Sequence, residues 1–133
     1  MMRHVSTILF LVAALINFGP VVGVLSPDRM VALYGVSLDD PNLEILMRHR
    51  AALFGIVGGF MLTAAFHWPF RAVAYAMGFV SMIVFLFVAW LVGDYGEQIR
   101  GVARVDILGL VALFGAGVAQ YFGGRIGYGP GAR

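Results

Sequence analysis

Apolar residues gather into four long stretches, Val5–Leu25, Ala51–Phe66, Ala72–Val92 and Ile107–Phe122, with polar residues between them. The first and third carry no charge. A transmembrane helix needs about 20 apolar residues, and these two reach that length unaided. The second and fourth are shorter. They span only if their helices extend back through the preceding polar residues, whose long side chains can reach the interface. The pattern therefore predicts an all-α fold, an antiparallel four-helix transmembrane bundle. Its spans are expected at about 5–25, 44–66, 70–92 and 98–122, within one membrane domain over residues 1–122.

Local signals punctuate this pattern. Gly19-Pro20 should kink the first helix, because proline removes a backbone donor and crowds the preceding turn. Ser26-Pro27-Asp28-Arg29 reads as a helix start, and residues 27–34 as a short interfacial helix ending at Gly35. Met30, Leu33 and Tyr34 would face lipid from it. Asp40-Pro41 opens the second span, with Glu44 in its first turn suiting the helix dipole. His67-Trp68-Pro69 supplies a tight turn. Asp94-Tyr95-Gly96-Glu97 has capping-box spacing at the start of the fourth span, expected from Tyr95. Residues 123–133 are too glycine-rich for a stable helix and read as a cytoplasmic tail.

Composition strengthens the membrane reading. The 133 residues are 61% hydrophobic and only 12% charged, against about 25% charged in soluble domains. Cysteine is absent, which excludes disulfides, thiolate catalysis and cysteine-bound metal. Lysine is absent too, which excludes Schiff-base chemistry and a phosphate-loop lysine. The net charge of +2 comes from dispersed arginines, so no nucleic-acid partner is indicated. Arg3 before the first stretch resembles a signal peptide. The stretch exceeds the 7–15 residues of a signal core, and no A-x-A site follows, so it reads as a true span.

Charge then orders the bundle. If all four stretches span, all seven acids fall on one face: Asp28, Asp39, Asp40, Glu44, Asp94, Glu97 and Asp106. The terminal face holds Arg3, Arg71, Arg125 and Arg133 and no acid. Arg48, Arg50, Arg100 and Arg104 lie within helices on the acidic face and read as paired, which leaves Arg29 alone against the four. Cytoplasmic loops favour cations, so both termini are placed in the cytoplasm.

Two constellations stand out. Ala51, Gly55, Gly59 and Thr63 recur every four residues, a small-residue stripe that lets membrane helices pack closely within the chain or across a dimer. Gly109, Ala112, Ala116 and Ala119 repeat it less cleanly. Extending the first stripe backward places Glu44 and Arg48 on it, with Arg50 roughly opposite. Asp106 begins the fourth apolar stretch, and its short side chain should face protein or water. With Asn17 somewhat deeper, Glu44, Arg48 and Asp106 form a candidate ligand-binding polar vestibule opening away from the cytoplasm. The plainer alternative is a structural ion-pair network, in which a Glu44–Arg48 pair is worth only a few tenths of a kcal/mol. His4, His49 and His67 do not form a metal site by spacing, and no cofactor motif is present.

The run Leu46–Gly55, with Leu33-Tyr34-Gly35, Asp39-Asp40-Pro41-Asn42 and Arg104-Val105-Asp106, resembles a family of small uncharacterised four-helix bacterial membrane proteins, distantly DoxX-like. The resemblance covers most of residues 30–118. It implies a bundle in a bacterial inner membrane and brings no activity with it. Some chains resembling this one bear the name phosphopantetheine adenylyltransferase. The strand, histidine motif and phosphate site of that soluble enzyme are missing here. The expected function is a membrane protein without an evident catalytic motif, either an accessory subunit or a small-molecule/lipid-binding bundle. Its partners would be the lipid bilayer and a homo-oligomer or larger membrane complex. The alternatives are an oligomeric transporter or ion-conducting protein, and a membrane enzyme using Asp106 or Glu44 with Arg48.

Overall fold

A computed structural model describes residues 2–126, with side chains described through Gly123. The described chain is helical throughout its spans. Helix α1 covers Met2–Phe18 and passes into a 3₁₀ segment at Gly19–Val24. The short α2 (Pro27–Tyr34) follows, then α3 (Pro41–Phe66), a 3₁₀ turn at Trp68–Phe70, α4 (Arg71–Val92) and α5 (Glu97–Ile126). Four segments are long and apolar enough to cross a membrane: Met2–Val24, Pro41–Phe66, Trp68–Val92 and Glu97–Gly123. The protein is thus a small multi-pass all-α membrane bundle.

Helix limits follow local chemistry. The α-helical ladder of α1 stops before Gly19-Pro20, and the tighter 3₁₀ form carries the chain onward to Val24. Ser26 has the extended backbone of an N-cap, and Gly35 ends α2 in a left-handed conformation (φ 67°) that favours glycine. Asp40 caps α3 by accepting from the Asn42 amide at 2.9 Å. The fourth span starts at Glu97 rather than Tyr95, and Asp94 lies in the turn before it at φ 46°. Helix α5 continues past Phe122 to Ile126. Propagating an existing helix costs far less than starting one, about 1 kcal/mol per glycine, and at Gly123 the backbone of α5 approaches Met2. The rest of the expected tail, residues 127–133, lies outside the described residues.

The connection after Phe66 satisfies the last carbonyls of α3, which have no partner within the helix. Thr63 O accepts from the His67 amide at 3.2 Å. Ala64 O and Ala65 O accept from Arg71 Nε and Nη2 at 3.4 and 2.7 Å. Arg71 is only 5% exposed, and its Nη2 also donates to Thr7 Oγ1 of α1 at 2.7 Å. Its guanidinium stacks near the rings of Phe10 and Trp68. One cation therefore joins α1, α3 and α4 at the terminal end.

Apolar side chains gain little from each other over lipid, so close fit must hold the spans together. The α1 stripe Ser6, Phe10, Ala13, Ala14 and Asn17 is buried at helical spacing. It meets Met61, Ala64 and Ala65 of α3, Ala74 and Met82 of α4, and Ala112, Leu113 and Ala116 of α5. Small residues set the distances. A Cβ on Gly58 would lie 2.5 Å from the Phe18 backbone, and one on Gly55 would lie 2.5 Å from Val21. A second cluster, Met30, Tyr34 and Ala51, fixes α2 against the end opposite the termini, so Met30 and Tyr34 turn inward onto α3 instead of facing lipid as their interfacial position suggested. Outward positions carry large apolar residues, including Trp90 at 74% exposure and Phe114 at 69%, which suits a lipid surround.

The small-residue stripe on α3 bends away from its four-residue spacing. Ala51 and Gly55 face the core and the 3₁₀ segment, but the close contact then moves to Gly58. Gly59 meets only the Phe18 ring edge at 3.9 Å. Thr63 is exposed and returns its hydroxyl to Gly59 O at 3.0 Å. A helix repeats every 3.6 residues, so steps of four drift by about 40° each and leave the contact line. On α5, Gly109, Ala112, Ala116 and Ala119 all turn inward.

Candidate functional site

Polar groups at the non-terminal end separate into an exposed pair and a shielded centre. Glu44 and Arg48 lie one turn apart on α3 and pair at 3.1 Å. Arg48 Nε also donates to Val24 O at 3.1 Å, tying α3 to the end of the 3₁₀ segment. Asn17 is buried in α1, where Nδ2 donates to Ala13 O at 3.3 Å while Oδ1 accepts from none of the described residues. Asp106 lies within electrostatic range of Arg50 and Tyr34. Among the described residues, no hydrogen bond or ion pair connects Asn17 or Asp106 to the Glu44–Arg48 pair.

Arg50 forms the centre. Two residues beyond Arg48 is a rotation of about 200°, which turns this guanidinium away from the exposed pair and between α3, α4 and α2. Its carbon lies 5.0 Å from the Tyr34 ring centroid and 5.2 Å from those of Phe54 and Phe85. Phe54 is one turn along the same helix, and Tyr34 is the last residue of α2. Burial pushes the Tyr34 phenol above its ordinary value, with Arg50 opposing and Asp106 reinforcing the shift. The phenol is therefore neutral at physiological pH and serves as a ring for the cation.

Among the described residues, no carboxylate lies within ion-pair distance of Arg50, and no hydrogen bond engages its five donors. Asp106 acts on it only at longer range. Arg50 lies about 14 Å along α3 from Pro41 at 1.5 Å per residue, well inside the span. Arginine at the very centre of a membrane helix costs on the order of 2.5–3.5 kcal/mol, an upper bound for Arg50, which directly precedes the uninterrupted apolar stretch 51–66. Each cation–π contact returns about 0.5–1 kcal/mol, more where desolvated. Ring faces stabilise the charge but leave the N–H edge without acceptors.

Two crevices share Arg50 in their lining. One, about 430 Å³, runs between Arg50, Phe54 and Phe85 toward Val92 and Tyr95. The other, about 390 Å³, descends from Arg50 and Ser81 past Leu53, Val57, Met77 and Val80. Both are walled mainly by hydrocarbon, with Arg50, Phe54 and Ser81 common to the two. A larger hollow of about 720 Å³ lies on the other side of Tyr34, between α1, α2 and α5, with Arg29 and Gln98 among its lining. The arrangement can hold an amphiphile, with a charged part at Arg50 and hydrocarbon along α3 and α4.

Sequence reading placed Arg50 among the paired arginines and gave the site to Arg48. The available signal was Phe54 one turn after an arginine set inside an apolar helix. Phe85 and Tyr34 join the cage only through tertiary packing.

Glu97, Arg100 and Arg104 form a surface cluster. Glu97 receives Arg100 and Arg104, both at 3.2 Å, with all three side chains more than half exposed. Exposed pairs contribute about 0–1 kcal/mol. Arg104→Ala is therefore expected to change the unfolding free energy by less than about 0.5 kcal/mol in detergent denaturant titrations. A larger loss would show that the cluster supports the fold.

No group of three or more metal-ligating side chains is found among the described residues. Comparisons with protein-family models, curated proteins and solved structures found no match to the chain.

Proposed function

We propose that this membrane bundle binds a small molecule or lipid and works without catalysis of its own, alone or as an accessory subunit of a larger complex. The observation that carries this reading is Arg50, a charged side chain inside a span, caged by three rings and opening into two apolar crevices. A group held at that energetic cost without a bonded acid suits a ligand that completes it. The arginine distribution supports cytoplasmic termini, and the DoxX-like resemblance, with the bacterial inner membrane it implies, belongs to the same proposal. The transporter reading is weaker for its proposed seam, because Ala51 and Gly55 already pack within the protomer.

The experiment is native purification followed by lipid and protein mass spectrometry. A small molecule or lipid retained in stoichiometric amount is the expected result. A stoichiometric partner protein with no retained ligand would replace the binding reading with a purely structural subunit. Recovery of neither would count against both.

A further inference from the structure

We infer that the ligand is an anionic phospholipid, with its phosphodiester at the Arg50 guanidinium and one acyl chain in the crevice between α3 and α4. The inference rests on the binding reading above and specifies its ligand class.

The head follows from the geometry of the cation. Tyr34, Phe54 and Phe85 lie around the guanidinium at 5.0–5.2 Å. The rings stabilise the charge without offering an oxygen acceptor, so the planar N–H donors are left for two oxygens of a phosphate in parallel. Ser81 lines both crevices together with Arg50, and its hydroxyl is a neutral donor available to the same head. Asp106 is the nearby acid, and it makes no ion pair that would occupy the guanidinium. Its negative charge opposes an anionic head, so the lipid binds against a partial counter-charge.

The tail follows from the walls. From Arg50 the lower crevice continues past Leu53 and Val57 on α3 and Met77 and Val80 on α4. Arg50 to Val57 is about 10 Å of helix at 1.5 Å per residue, enough for the first half of an acyl chain. Val80 is 61% exposed, so this wall opens sideways into the bilayer, where a lipid can enter. A free inorganic anion would leave this hydrocarbon channel unused. The upper crevice leads from the head toward Val92 and Tyr95 near the end of α4, the path by which a glycerol headgroup reaches the interface.

Wild type, Arg50→Gln, Asp106→Asn and Val80→Trp would be purified in a neutral detergent. Each would be titrated with phosphatidylglycerol, phosphatidylcholine and diacylglycerol and read by native mass spectrometry, with inorganic phosphate as competitor. Far-ultraviolet circular dichroism and elution volume would verify the fold. Phosphatidylglycerol is expected to bind wild type about tenfold more tightly than Arg50→Gln. Asp106→Asn should raise its occupancy. Val80→Trp, on an outward position, should lower it with Arg50 intact. Diacylglycerol should not distinguish wild type from Arg50→Gln, and inorganic phosphate should not compete.

Equal phosphatidylglycerol binding by wild type and Arg50→Gln would overturn the head assignment. If Val80→Trp still lowered lipid occupancy, the general binding reading would survive that result. Effective competition by inorganic phosphate would replace the lipid with a free anion. If Arg50→Gln failed to fold, Val80→Trp and Asp106→Asn would decide, and no change in either would reject the lipid. Lipid retention unaffected by all three variants would reject the site altogether.

Discussion

Replacing Gly58 by alanine is expected to cost about 3 kcal/mol or more, the upper end for overpacking in a close-fitted interior. The added Cβ would lie 2.5 Å from both the backbone nitrogen and Cα of Phe18. A clash with a flexible side-chain tip relaxes by rotation, but backbone meeting backbone moves a helix. Phe18 is the last residue of α1, where the chain enters its 3₁₀ segment. Separation there would also disturb Ala14 and Asn17 above the same junction. Gly59→Ala is the matched control. Its Cβ would meet only the Phe18 ring edge at 3.9 Å, an ordinary contact. Removing a glycine from a helix interior should then leave stability unchanged or improve it by about 0.5–1 kcal/mol. Thermal midpoints and denaturant titrations in one detergent would compare them. Equal behaviour of the two variants would show that the α1–α3 approach is looser than described.

That contrast shows where sequence reasoning reaches its limit. Four apolar stretches and their punctuation were enough for the four-span all-α fold, because length, absence of charge and proline or glycine breaks act locally. Asp40 and Gly35 likewise declare helix ends through their own chemistry. A stripe is different. Ala51, Gly55, Gly59 and Thr63 are equally spaced, yet close approach follows Ala51, Gly55 and Gly58, because the 3.6-residue period alternates steps of four and three. The partner helix decides where the alternation falls. Charge pairing was partly readable: Glu44–Arg48 and the Glu97 cluster are local along helices. Arg50 was not, since two of its three rings come from α2 and α4. Arg71 read only as one of four cations on the terminal face, because nothing local shows that Thr7, distant in sequence, comes to meet it.

Arg71→Met should therefore destabilise the bundle more than any arginine at the opposite end, by about 3–5 kcal/mol. Three hydrogen bonds disappear together, to Thr7 Oγ1, Ala64 O and Ala65 O. A buried acceptor left without a donor costs about 1–3 kcal/mol, and two are carbonyls at the C-terminus of α3. That terminus carries the negative end of the helix dipole, which a cation offsets. Methionine fills similar volume between Phe10 and Trp68 but supplies neither charge nor donors. Arg71→Lys should recover only part of the loss, because one ammonium cannot reproduce the planar fork that serves two helices and stacks on both rings. Thr7→Val removes one of the three bonds and should cost about 1 kcal/mol. Hydrogen exchange gives a second readout. Protection should fall first at the His67 amide and the last turn of α3 in Arg71→Met, while the Asp40-capped start of α3 keeps its protection. Full recovery by lysine would reduce Arg71 to a point charge. A loss below about 0.5 kcal/mol in Arg71→Met would show that the terminal end does not depend on this junction.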